Sequence, residues 1–263
     1  GCAALARVPE ALEGPLKLVV ASLDAEGRGV ARNPEGKVVF IEGALPGEIV
    51  KAEFVRGKPS YDVMRIVAVL HESGSRRAAR CPYFGVCGGC ATQHADARTQ
   101  VAAQQRWLED CLARIGKVCA ESLLPPLYGE EWGYRQRARL SVRYVAGKSG
   151  ALVGFRERRS THVADMTSCE VLPPHVSALI PRLRVLVGRL TIRERLPQIE
   201  VAAGENASVL VFRHLLPLDP DDKALLREFA ESSGVHVWLQ PGGPDTAHPF
   251  VPPDSSLHYS LPE

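Results

Sequence analysis

Cys81-Pro82-Tyr83-Phe84-Gly85-Val86-Cys87-Gly88-Gly89-Cys90 places three cysteines at C-x5-C-x2-C spacing within ten residues. Its glycines let the backbone fold tightly, so the run reads as a loop wrapped around a metal centre. The chain has seven cysteines, an odd number, with Cys2, Cys111, Cys119 and Cys169 scattered outside the loop. That is poor arithmetic for a disulfide framework, and in a reducing compartment it points to metal ligation or thiol chemistry. A four-coordinate site needs one more ligand. Cys169, in Met166-Thr167-Ser168-Cys169-Glu170, is the best candidate among the remaining cysteines, and His94 offers a nitrogen instead. Four thiolates suit either tetrahedral zinc or an iron–sulfur cluster, and spacing does not decide between them.

Upstream of the loop the pattern is that of short strands. Leu16 to Val20, Lys37 to Ile41, Ile49 to Val55 and Val63 to Leu70 are apolar or alternating runs, separated by turn residues at Asp24 to Gly29, Pro46-Gly47 and Gly57-Lys58-Pro59. Four or five strands in about 55 residues fit a small β-barrel, which closes its sheet and so exposes no edge. Residues 1 to 14 show no periodicity and read as a loose leader.

Downstream, Asp96 is expected to cap a helix running to Ile115. Val101, Leu108, Cys111, Leu112 and Ile115 share a face, which makes Cys111 a core residue, and Gly116 stops the helix. Arg135, Arg137 and Arg139 alternate with Ala138, Leu140 and Val142, the pattern of a half-buried strand whose arginines point one way. Lys148-Ser149-Gly150 reads as a turn, with Leu152 to Arg156 and His162 to Met166 continuing the sheet. His175 to Leu190 has helical spacing, Ile199 to Ala203 and Ser208 to Arg213 form a hairpin, Asp219-Pro220 opens a helix ending near Gly234, and Val235 to Leu239 is a strand. Leu257 to Leu261 looks like a strand entering a further domain. His162 and His214 have no evident acid–base partner and read as structural.

The net charge of +2 is uninformative, but its distribution is not. Between Trp132 and Ser160 stand Arg135, Arg137, Arg139, Arg143, Lys148, Arg156, Arg158 and Arg159 against the single acid Glu157. So concentrated a positive charge repels itself unless it meets counterions or phosphate, which points to a polyanionic partner. With 45% apolar and 24% charged residues the composition is that of an ordinary globular protein, and no apolar run is long enough to cross a membrane. A cytoplasmic location is expected, with no membrane partner and a monomeric state.

Several of these stretches together carry a resemblance. Gly27-Arg28-Gly29-Val30-Ala31 and Val38-Val39-Phe40-Ile41-Glu42-Gly43-Ala44-Leu45-Pro46-Gly47-Glu48 resemble a TRAM domain, an oligonucleotide-binding-type (OB-like) barrel found on RNA-modifying enzymes. CPYFGVCGGC with Gln93-His94, the stretch from Tyr134 to Leu140, Leu152 to Arg156, Met166 to Leu172 and Leu210 to His214 resemble bacterial RNA uracil-5 methyltransferases, in the branch that modifies 23S ribosomal RNA. The resemblance covers roughly residues 16 to 263. It implies an α+β protein with an all-β TRAM barrel over residues 15–71 after a leader at 1–14, then an iron–sulfur-stapled α+β central domain over 72–256. Residues 257–263 then begin a Rossmann-like methyltransferase domain that is absent from this chain. It also implies a 4Fe-4S cluster on Cys81, Cys87, Cys90 and Cys169, and 23S ribosomal RNA as partner. Arg135, Arg137, Arg139, Arg143, Arg156 and Arg158 become the candidate RNA contacts. S-adenosylmethionine, a nucleophilic cysteine and a proton-abstracting carboxylate belong to the expected missing domain, since no glycine-rich strand-to-helix turn is found here. On that reading the chain contributes no catalytic or cofactor-binding residue of its own and should not methylate RNA alone.

Three other readings compete. A free-standing RNA-binding module with a structural metal explains the same residues. A ferredoxin-like electron carrier leaves the barrel and the arginine strand without a role. A radical enzyme using S-adenosylmethionine calls for C-x3-C-x2-C, which is not the spacing found.

Overall fold

The computed structural model describes residues 14–147 and 150–260. The leader at residues 1–13, with Cys2, as well as Lys148, Ser149 and Leu261, lies outside the described residues. The chain divides into two compact units. The first runs to Ala79 and includes Ala91–Leu127; the second comprises Arg80–Cys90 and the chain from Tyr128 onward. The cysteine loop thus folds with residues far downstream of it rather than with its immediate neighbours.

In the first unit, β1 (Leu16–Val19), β2 (Ser22–Leu23), β3 (Gly29–Arg32), β4 (Val38–Glu42), β5 (Ile49–Lys58) and β6 (Tyr61–His71) form one sheet in the order β1-β5-β6-β4-β3-β2. β1 and β2 are two halves of a single extended run. One half pairs with β5 and the other with β3, so the sheet closes on itself as a barrel. Inward positions alternate, and Leu18, Val39, Ile41, Val50, Ala52 and Met64 fill the interior. The barrel uses two strands beyond the four runs read from the sequence, because β2 and β3 are too short and polar to register as periodic runs. β5 also continues through Gly57-Lys58, moving the turn to Pro59-Ser60. Glu48, fully buried, ties the barrel's turn at Gly43 to Glu48 to the segment after β6. Its carboxylate accepts from Leu45 N at 2.8 Å and from Arg76 Nη2 at 2.8 Å, and the same Nη2 donates to Gly43 O at 2.7 Å. Burial pushes the Glu48 carboxyl up, but hydrogen bonds from Arg76, Leu45 and Ser73 outweigh it and hold the group below the ordinary range.

Asp96 caps α1 (Ala97–Asp110) by accepting from Thr99 N at 2.7 Å, as the sequence indicates. The helix then loosens into a π-helical stretch, Cys111–Gly116, and stops at Lys117 in the left-handed region. Its apolar face is not core: no residue of α1 is buried, Leu108 and Ile115 are exposed, and Cys111 is half-buried. The periodicity identified a shared face correctly, but it could not say whether anything covers it.

In the second unit, β7 (Arg137–Val145), β8 (Gly150–Gly154), β9 (Gln198–Ala203), β10 (Ser208–Arg213), β11 (His236–Gln240) and β12 (His248–Val251) form a sheet ordered β12-β11-β10-β9-β7-β8. All neighbours are antiparallel except β10 and β11, which run parallel and are connected through α4 (Pro220–Ser233). Inward residues of these strands, among them Leu140, Ile199, Leu210, Phe212 and Val237, pack with α3 (Ile180–Arg189) and α4 in one core. The run read as one helix from His175 breaks into α2 (Pro174–Ser177) and α3, because Pro181 takes the first turn of a new helix. His162 to Met166 is not a strand; it meets the end of β8 through a bridge between Arg156 and Val163 and through Ala164 N, which donates to Phe155 O at 2.9 Å. β12 carries Pro249 and lies at the sheet edge, where a missing N–H is tolerated, and so escaped the sequence reading. Leu257 to Ser260 form no strand either. They fold back on the β9–β10 turn, where Glu205 N donates to His258 O at 3.0 Å and Asn206 Nδ2 donates to Ser256 O at 2.9 Å. Among the described residues no helix is long and apolar enough to cross a membrane.

Candidate metal centre and nucleic-acid interface

Three segments of the second unit meet around the cysteine loop. The first is strand-like pairing with residues 156–158: Gly88 N donates to Arg156 O and Arg158 N to Val86 O, both at 2.8 Å. Glycine suits position 88, since a Cβ there would stand a tight 3.0 Å from the Arg156 carbonyl oxygen. The second segment carries Cys169. Thr167 N donates to the Tyr83 hydroxyl at 3.0 Å, and Arg80, next to Cys81, pairs with Glu170, next to Cys169, at 2.7 Å. The third is the approach to β7, where Arg135 Nη2 donates to Gly89 O at 3.2 Å and its guanidinium lies over Phe155. Each of these contacts fixes loop backbone or a residue adjoining a cysteine, and Gly89 N donates to Cys87 Sγ itself at 3.4 Å.

All four candidate ligands, Cys81, Cys87, Cys90 and Cys169, are free thiols of this unit, with Cys87 and Cys169 buried in the same apolar cluster and Cys90 packed against it. Burial pushes the Cys87 and Cys169 thiols up, and interaction with the other thiols adds to it: Cys87 senses Cys169, Cys90 and Cys81, and Cys169 senses Cys90 and Cys81. The loop and the Cys169 segment are thus neighbours in this unit. Among the described residues no three His, Cys, Asp or Glu side chains close to the geometry of a single-ion site. The donor chemistry still fits a thiophilic metal group. Buried, mutually repelling thiolates need a cation among them, and without one they stay protonated. The nitrogen alternative, His94, belongs to the first unit.

The six candidate RNA arginines separate into two kinds. Arg135 and Arg158 are half-buried and turned onto the cysteine loop, Arg158 Nη2 donating to Cys90 O at 3.3 Å while its guanidinium lies over Phe84. Arg137, Arg139, Arg143 and Arg156 are exposed, and Arg139 is paired with Glu200 across to β9 at 3.2 Å. Arg137, Arg139 and Arg143 share the open face of β7, opposite the side packed on the helices. Spacing alone could not separate these kinds, because the alternation is the same throughout the stretch.

Comparisons with known proteins bear on both units. Residues 17–61 match the TRAM domain family. The chain is 57% identical over 247 residues to the "23S rRNA (uracil(1939)-C(5))-methyltransferase RlmD" of Nitrosospira multiformis, covering 94% of this chain and 56% of that protein. It is 54% identical over 255 residues to the protein of the same name from Ralstonia pickettii, covering 95% and 56%. The chain thus spans about half the length of the curated relatives it matches. Among solved structures, the tRNA (uracil-54, C5)-methyltransferase of Pyrococcus abyssi, in complex with S-adenosyl-L-homocysteine, shares the fold at a TM-score of 0.58 and 18% identity, over 85% of this chain and 50% of that one. These alignments correct the expectation that this chain lacks a catalytic, Rossmann-like domain. Nearly all of it lies within methyltransferase sequence and fold, and its β10–α4–β11 crossover is a parallel α/β unit that the sequence reading did not recognise as one. The inference that the chain is inactive alone loses its ground with that expectation. Along almost its whole length the chain is similar to these uracil-C5 methyltransferases, and residues 17–61 match the TRAM domain.

Proposed function

We propose that the chain serves a 23S ribosomal RNA uracil-C5 methyltransferase of the RlmD type, using S-adenosylmethionine to make 5-methyluridine in the cytoplasm. Within that activity the barrel and the arginine strand grip the RNA. The observation that carries the reading is the identity of 57% to a relative of that name, running through the cysteine loop and the arginine strand together.

In this reading the barrel over residues 15–71 and the open face of β7 bind RNA, with Arg137, Arg139, Arg143 and Arg156 reaching phosphate. Arg135 and Arg158 act at one remove by holding the cysteine loop that braces the strand. Cys81, Cys87, Cys90 and Cys169 hold a 4Fe-4S cluster, whose contribution is a covalent cross-link between the loop and residue 169. A metal so placed adds its binding energy to the folding of the unit. The target uridine is turned out of its stack, since the reacting carbon is out of reach within stacked bases.

Protein purified without oxygen is assayed for iron, acid-labile sulfide and visible absorption, and for binding to a 23S ribosomal RNA fragment. Four iron and four sulfide per chain, lost in Cys81→Ser or Cys169→Ser, are expected. Zinc without sulfide would instead favour the second reading, an RNA-binding module with a structural metal. Failure to bind the RNA at low salt would sink both.

A further inference from the structure

Beyond the carboxyl ends of β10 and β11 lies a crevice of about 400 Å³, lined by His214, Leu216, Leu218, Lys223, Leu239 and His248 among others. Its place has a physical reason. β10 and β11 run parallel with α4 between them, so the loop that leaves β10 for α4 and the loop that leaves β11 both emerge at this end. In open α/β sheets that is where ligands bind. The volume lies within the ~300–1,000 Å³ of small-ligand sites. The loop after β10 also holds Leu215 and Leu216 at 47% and 45% exposure, two adjacent leucines that the core does not use.

One buried polar group in this wall is incomplete. His214 is only 7% exposed, and its Nδ1 lies 2.7 Å from Leu216 O. A carbonyl can only accept, so Nδ1 carries a proton, and in that tautomer Nε2 presents a lone pair. That Nε2 is buried with no hydrogen-bond partner. A buried acceptor left so is uncommon and favours a donor arriving from outside. The rim supplies positive charge through Lys223, exposed in the first turn of α4. Of the neighbouring acids, Asp219 accepts from Asp222 N at 2.7 Å and Asp222 accepts from Thr191 N at 2.8 Å and Thr191 Oγ1 at 2.7 Å, while Asp221 is exposed.

We infer that this crevice receives one unstacked nucleotide of RNA, its base edge donating an N–H to His214 Nε2, its ring against the leucines and its phosphate beside Lys223. The inference rests on the RNA-binding reading for its ligand class and adds to it a site away from the arginine face. Each of the four bases carries an N–H donor and a flat apolar face, so the crevice selects an unpaired nucleotide by shape more than by identity. Because Nε2 is buried, entry requires part of the crevice wall to turn aside.

The test follows the His214 ring resonance and the methyl groups of Leu215 and Leu216 by NMR in the full chain. Nucleoside 5′-monophosphates and a short single-stranded RNA are titrated separately. Both are expected to shift these signals. Lys223→Glu, on the exposed rim, should weaken monophosphate binding by about 3- to 10-fold, as expected for one charge contact. His214→Phe, which keeps the ring volume but loses the acceptor, should do the same, and Lys223→Glu keeps the test sound if that variant misfolds. RNA that binds without moving these signals overturns the inference while leaving the RNA-binding reading intact. Monophosphates that bind here while RNA does not would keep the site as one for a free nucleotide and overturn RNA as its source. Silence to both ligands overturns site and reading together.

Discussion

Replacing Arg137 and Arg143 together by alanine tests the proposed RNA face most directly. Both are exposed, both lie on the open face of β7, and neither has a hydrogen-bond or ion-pair partner among the described residues. Six residues of strand at about 3.3 Å each separate them by about 20 Å, beyond the ~8 Å screening length at physiological salt, so they should act on different phosphates and independently. Each lost phosphate contact lowers the slope of log K against log salt by about 0.7 for single-stranded and 0.9 for duplex nucleic acid, or about 1.4 to 1.8 for the pair. Over a fourfold rise in salt, wild-type affinity should therefore fall about 7- to 12-fold more than that of the variant. Fluorescence anisotropy with a labelled 23S ribosomal RNA fragment reads this, with thermal unfolding run alongside to show that the fold is untouched. An unchanged slope would falsify the assignment of this face to RNA. Arg135→Ala is the informative contrast. Its guanidinium is engaged with Gly89 O and Phe155, so the variant should lose stability and metal content as well as charge.

Other outcomes follow from the same geometry. Cys169→Ser should release iron and lower thermal stability and RNA affinity together; RNA binding that survives cluster loss unchanged would show that the cysteine centre does not brace the arginine strand. Gly88→Ala forces a Cβ to 3.0 Å from the Arg156 carbonyl oxygen and should cost about 1–3 kcal/mol in urea unfolding, with a neutral result placing the loop further from residues 156–158. Arg76→Met leaves Glu48 buried without its ion partner and should cost about 3–5 kcal/mol at neutral pH. The sign of its pH dependence is fixed. The folded-state pKa of Glu48 lies below its unfolded value, so the pair's stabilisation is present above the unfolded pKa and lost as pH falls through the folded one. The gap between wild type and Arg76→Met should narrow on acidification, and a gap that widens would contradict the pairing.

The split between legible and illegible features follows the range of the interactions involved. Four of the barrel strands, the Asp96 and Asp219 caps, the β9–β10 hairpin and the cysteine spacing show in local patterns of a few residues, so the sequence determined them by itself. What covers each face was settled elsewhere. The face of α1 bearing Leu108 is as periodic as a core helix yet stays exposed, while α3, with the same kind of stripe, is buried. The arginines alternate evenly, but only the fold turns Arg135 and Arg158 inward, because Gly89 O and Cys90 O come from a loop 46 and 68 residues away in the chain. His214 read as an ordinary structural histidine, and only the parallel pairing of β10 with β11 set it in the wall of a crevice. Local spacing thus fixed which side chains share a side of each element; pairing between distant segments decided what each side meets, since those energies depend on neighbours that lie nowhere near in the sequence.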